Sequence, residues 1–321
     1  MKLKLNYECF DKGLEKLSQE YKIFAPVVLE YKGTYSDTPS IRYKEVKKFE
    51  DMEFALKSHF SPKEVMLPIN EILLYFTQDE YSEAKVKEEK VLIFMRACDI
   101  NAVKRVDEIY LRNGEEDYYY KRRRNKVKFV LVGCRESFRN CFCVSMNSNK
   151  TEDYAMALNI RDNELYIDIN HAVRYYELRS NPVAKVGNMG REEHKEMLFW
   201  TKEEYNARCI SCGRCNFVCP TCTCFTMQDI FYKENKNVGE RRRVWASCQV
   251  DGFTDIAGGH SFRNSKGDRL RFKAMHKIYD FNKRFGYQMC VGCGRCDDNC
   301  PQYISFSTTI DKINGFCKEG E

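Results

Sequence analysis

The sequence predicts two unlike halves. Residues 1–190 form an α/β domain on a mixed sheet that contains a β–α–β unit, and residues 191–321 form a mostly helical, cysteine-rich domain. Three observations carry this prediction. Two short, near-continuous apolar runs, Val91–Met95 and Val127–Val132, read as buried strands of a parallel sheet, and the segment between them has helical periodicity. Tyr154–Ile160 and Glu164–Ile169 flank a polar turn, as a hairpin does. Only five of the 17 cysteines precede residue 205; twelve follow it.

The elements fall in order along the chain. Glu8–Tyr21 spaces Phe10, Leu14 and Leu17 along one helical face, and Ile23–Leu29 is a strand candidate. After Val91–Met95, Asp99 stands where an N-cap belongs, opening a helix through Ile100, Val103, Val106 and Tyr110. Strand, helix and the strand at Val127–Val132 make the β–α–β unit. Arg191–Tyr205 reads as a helix linking the two halves.

The totals narrow the class of molecule. With 43% hydrophobic and 31% charged residues, the chain has the composition of a soluble globular protein. No apolar run approaches the ~20 residues of a membrane span, and Met1–Glu8 lacks the apolar core of a secretion signal. The expected location is the cytoplasm. Disulfides are rare there, so a high thiol count points to metal. The formal charge of +6 is a mild excess that suits an acidic protein partner better than nucleic acid.

The C-terminal cysteines are the strongest signal. Cys209, Cys212, Cys215 and Cys219 follow C-x2-C-x2-C-x3-C, closed by Pro220; Cys290, Cys293, Cys296 and Cys300 repeat it, closed by Pro301. This is the run of two-cluster bacterial ferredoxins, whose fourth cysteine serves the other cluster. One [4Fe–4S] cluster is therefore assigned Cys209, Cys212, Cys215 and Cys300, and a second Cys290, Cys293, Cys296 and Cys219. Gly213, Gly292 and Gly294 are expected to let the backbone approach inorganic sulfide. Structural zinc, the competing reading, usually splits its cysteines into two knuckles separated by a longer loop. The 70 residues between the runs are more than a compact ferredoxin holds, which favours a ferredoxin-like helical insert.

A third set lies in the first half. Cys98 and Cys134 each follow an apolar strand, and parallel strands put both at one sheet edge. Cys141 and Cys143, two apart, face the same way in extended chain. These four are assigned to a third [4Fe–4S] cluster, with Asp99 or another cysteine as a substitute ligand; the plain alternative is buried, inert thiols. Cys222, Cys224 and Cys248 lie near the first run, where packing is the preferred reading over spare thiols, groups supporting the ligands or ligands in another arrangement; Cys9 and Cys317 read as bystanders.

Other chemistry is missing from the motifs. There is no G-x-G-x-x-G and no G-x-x-x-x-G-K-[ST], and the five histidines form no ligand pattern. Tyr118–Lys126 and Arg241–Arg243 are basic, but Glu115–Asp117 interrupts the first, so surface or partner contact is preferred over nucleic acid. The chain reads as an electron relay with no catalytic residues and no substrate site of its own.

Several segments carry a family resemblance: Ser58–Glu64 with Leu67–Glu71, Arg96–Asp99, Cys141–Cys143, Cys219–Cys222, Gly258–Arg263 and Cys290–Cys296. Together they resemble the iron–sulfur electron-transfer subunit of bacterial anaerobic sulfite reductases over nearly the whole length. The β subunits of cytosolic sulfhydrogenases share several of these motifs, with a proline usual where Ala97 stands here. The resemblance implies a complex in which a flavin subunit oxidises NADH, this subunit relays the electrons, and a sirohaem subunit reduces sulfite to sulfide. The alternatives are the electron-transfer β subunit of a sulfhydrogenase-type hydrogenase and, from another class, a zinc-bearing adaptor or nucleic-acid-binding protein.

Overall fold

The computed structural model describes residues 2–85, 89–161, 164–169 and 202–319. Its first half contains β1 (Lys2–Leu5), α1 (Tyr7–Ser18), β2 (Tyr21–Leu29), β3 (Ser40–Glu45), α2 (Lys63–Met66), β4 (Asn70–Phe76) and β5 (Tyr81–Glu83). Then follow β6 (Lys90–Met95), α3 (Ala97–Leu111), α4 (Tyr118–Arg124), β7 (Val127–Val132), β8 (Met156–Arg161) and β9 (Glu164–Ile169). A seven-stranded sheet has the order β1-β9-β8-β7-β6-β2-β3. Its centre, β2, β6, β7 and β8, is parallel, and its edges are antiparallel.

The apolar runs are continuous because both faces of this sheet are covered. Leu92 and Phe94 pack with Phe10 and Leu14 of α1, while Ile93 and Met95 pack with Ile100 and Val103 of α3. Alternate residues of one strand thus feed two cores. α1 starts after Asn6, whose side chain accepts from the Cys9 N–H at 2.8 Å. It stops at Ser18, short of the expected Tyr21, because Tyr21 is buried as the first residue of β2.

Asp99 is not the N-cap of α3. The helix begins at Ala97 with Arg96 in the cap position, and the Asp99 carboxylate is held by Arg295, at 2.5 and 2.8 Å.

The second half departs from the helical expectation. α5 (Arg214–Phe217) is followed by β10 (Phe225–Phe231) and β11 (Gly239–Trp245), long strands that join β4 and β5 in a sheet of order β10-β11-β4-β5. α6 (Lys266–Met275) runs through a wide turn at His276–Asp280 into α7 (Phe281–Phe285), and α8 (Arg295–Asp298) and α9 (Phe306–Glu319) complete the chain. Strands from both halves therefore share one sheet. The expected linker at 191–205 lies mostly outside the described residues; residues 202–208 are helical.

The basic runs are matched by acids within the chain. Arg243 of β11 bonds Glu71 of β4 at 2.9 Å and Asp117 at 2.6 Å. Arg241 bonds Asp229, and in α4 Arg123 and Arg124 bond Glu71 and Asp107.

Candidate metal centres

The two cysteine runs fold alike. In each, a left-handed glycine, Gly213 at φ 75° or Gly294 at φ 70°, opens a one-turn helix that carries the third cysteine. Those helices, α5 and α8, pack against one another. The first three cysteines of the first run, Cys209, Cys212 and Cys215, line a cavity together with Cys300 of the second. Cys219 lies with the other three: its charge acts on Cys290, Cys293 and Cys296. Cys300 thus lies beside the first three cysteines of the first run, and Cys219 within electrostatic reach of the first three of the second.

Backbone amides already point at sulfur. The Ser211 N–H donates to Cys209 at 3.4 Å, Gly292 to Cys290 at 3.4 Å and Ile304 to Cys300 at 3.3 Å. Burial pushes the Cys290 thiol up to about 11 and Cys293 up to about 12. Metal binding at such thiols must displace protons. Among the described residues no three His, Cys, Asp or Glu side chains converge closely enough for a single metal ion. A tetrahedral zinc site gathers its thiolates within ~2.3 Å of one atom, whereas a cubane spreads four thiolates over four irons. The donor set and the cavity fit the larger group.

The third set also comes together, one loop away. Cys98 lies in the first turn of α3 and packs with Cys143, Val291 and Cys293. The charges of Cys141 and Cys134 both act on Cys143, which burial raises to about 12. Cys134, half-buried after β7, accepts from the Arg96 guanidinium at 3.0 Å. Cys141 is 3.7 Å from the Lys57 ammonium, which also pairs with Asp298. Asp99, engaged with Arg295, points away from a ligand role.

Gly292 and Gly294 also answer a need that was not expected. A Cβ on Gly292 would lie 2.5 Å from the Phe142 carbonyl, and one on Gly294 2.2 Å from the Asn140 oxygen. Their bare sides face the 140–143 loop, where the Phe142 N–H donates to Gly292 O at 2.7 Å. Gly292 also has φ 62°. Gly292→Ala is expected to push the 140–143 loop off the second run, lowering iron content at the second and third sites together. Iron and sulfide assay of the purified variant reads this; an unchanged content would show that the loop can yield.

Sequence reasoning missed the cations. Lys57, Lys63, Lys273, Lys277, Arg96 and Arg295 all stand among the thiols. Burial lowers Lys273 and Lys277, but the surrounding thiols outweigh it and leave both raised. Cys222 contacts Cys219. Cys248, drawn down to about 5 chiefly by its neighbour Cys224, accepts from Asn216 at 3.1 Å.

Residues 208–304 match the family model described as a 4Fe-4S dicluster domain. The chain carries an iron–sulfur domain suited to electron transfer. It is related over nearly its full length to sulfhydrogenase β subunits: it is 26% identical to the sulfhydrogenase 2 subunit beta of Pyrococcus furiosus, across 97% of this chain and 98% of that one. No solved structure matches it. No helix among the described residues is long and apolar enough to cross a membrane.

Proposed function

We propose that this chain is a three-cluster electron relay within a cytoplasmic reductase complex. It would take electrons from a flavin subunit that oxidises NADH and pass them to a sirohaem subunit that reduces sulfite. A [4Fe–4S] cluster supplies one-electron transfer; the chain supplies thiolates, amide donors to sulfur and a water-poor setting. Cys209, Cys212, Cys215 and Cys300 would hold one cluster, Cys290, Cys293, Cys296 and Cys219 the second, and Cys98, Cys134, Cys141 and Cys143 the third. The exchange of fourth cysteines between the runs carries this reading.

The same packing supports an order. Cys293 touches Cys98 and Cys143 on one side, and Cys296 borders the cavity of the first run on the other. The second cluster would be the middle of the wire.

The relative named above favours a second reading, the β subunit of a sulfhydrogenase-type hydrogenase. Anaerobic affinity purification from the native host separates the two: a sirohaem subunit supports the first, a nickel–iron subunit the second. Iron at about twelve per chain with matching sulfide is expected. Colourless protein holding stoichiometric zinc would end both readings in favour of a zinc-bearing adaptor.

A further inference from the structure

Lys273 and Lys277 stand one turn apart on the helix that passes between the two C-terminal cysteine runs. They are 3% and 2% exposed. The Lys273 ammonium lies close enough to Cys215 and Cys296 for its charge to act on both runs. It borders the cavity of Cys209, Cys212, Cys215 and Cys300, with its ammonium 5.8 Å above the Phe306 ring. Lys277 donates to Thr221 Oγ1 at 2.7 Å and faces Cys219 and Cys290, both assigned to the second cluster.

Neither lysine pairs with a carboxylate among the described residues. Three of the other cations among the thiols are held differently. Lys57 has Asp298 and Arg295 has Asp99; Lys63 is tied to the carbonyls of Cys222 and Asn216 at 2.9 and 3.3 Å, under Trp245. A buried ammonium without a counter-ion is strongly unfavourable. The groups that can compensate Lys273 and Lys277 are the thiolates and whatever those thiolates hold. A [4Fe–4S] core on four thiolates is anionic in both redox states and gains one further negative charge on reduction. A fixed ammonium beside it therefore favours the reduced form.

We propose that Lys273 and Lys277 are positioning charges that raise the reduction potentials of the C-terminal clusters, Lys273 acting on both and Lys277 on the second. This inference rests on the cluster reading above. It makes the driving force between the two clusters a property of one helix face, because removing one charge shifts both centres and removing the other shifts a single centre.

The test is a redox titration of the anaerobically purified full-length chain, followed by paramagnetic resonance, alongside an iron and sulfide count. Lys273→Met is expected to lower the reduced-to-oxidised ratio of both C-terminal clusters at least tenfold at fixed potential, about 59 mV for one electron. Lys277→Met is expected to do so for the second cluster alone. Lys273→Arg should restore most of the shift, and Lys283→Met, at an exposed position, should leave every potential unchanged. Unshifted potentials with full iron in both methionine variants would overturn the proposal. So would equal shifts in Lys273→Met and Lys273→Arg, since a packing role would be disturbed by both. If Lys273→Met fails to assemble its clusters, Lys277→Met decides the matter. A wild-type chain without iron and sulfide would instead overturn the cluster reading itself.

Discussion

Replacing Cys219 by alanine is expected to remove the cluster on Cys290, Cys293 and Cys296 and to spare the one on its own run. Iron should fall from about twelve to about eight per chain. The resonance signal of the second cluster should vanish, while that of the first persists. The expectation follows from where the side chain sits: Cys219 belongs to the first run in sequence, but its charge reaches Cys290, Cys293 and Cys296. The cavity of the first run closes on Cys300 instead. Cys300→Ala is the mirror experiment and should strike the first cluster. Loss of the first cluster in Cys219→Ala, with its neighbour intact, would mean that each run serves itself. A serine at either position is a weaker test, because an alkoxide can stand in for a thiolate. Electron flow should fail in both alanine variants, because the proposed wire runs through the first and second clusters in series.

What the sequence made legible follows physical lines. Val91–Met95 and Val127–Val132 could be read because both faces of the parallel sheet are buried, which forces an unbroken apolar run. The cysteine runs could be read because cubane ligation fixes their spacing within one loop. β10 and β11 could not: nearly all of β10 is exposed, and β11 buries charge through Arg243 and Glu240 rather than apolar side chains. No alternation of hydrophobic residues marks either strand. The buried lysines were equally hidden. Lys273 and Lys277 differ from solvated lysines only in what surrounds them, and Leu270, Ala274, Met275 and Ile278 are the sole local hint that this face is covered. The glycines were singled out as close-approach positions; at Gly213 the side chains of Val250, Phe217 and Ser247 approach, at Gly292 and Gly294 the 140–143 backbone. A contact between segments so distant in sequence leaves no mark in either segment alone.

Arg295→Leu is expected to destabilise the holoprotein by about 3–5 kcal/mol, the range for breaking a buried pair by removing one partner. Arg295 and Asp99 have side chains 2% and 0% exposed and meet through two bonds, at 2.5 and 2.8 Å. Arg295 also donates to Ser58 O and Ser58 Oγ, at 3.0 and 2.8 Å. Removing it strands the Asp99 carboxylate in a site that water does not reach. The loss should be read as the shift in urea midpoint under anaerobic conditions, with iron content checked at each point. The double variant Asp99→Leu/Arg295→Leu should cost less than Arg295→Leu alone, because it leaves no unpaired charge. Costs that simply add would show that the pair is not coupled. The position of the pair extends the consequence beyond stability. Arg295 follows Cys293 by two residues and Asp99 follows Cys98 by one, so a single ion pair fixes the loop of the proposed second cluster to the helix that presents a ligand of the third. Arg295→Leu should therefore broaden the resonance signals of those two centres and leave the first cluster, on Cys209, Cys212, Cys215 and Cys300, as it is in the wild type. Broadening at the first cluster alone would place the mechanical junction elsewhere.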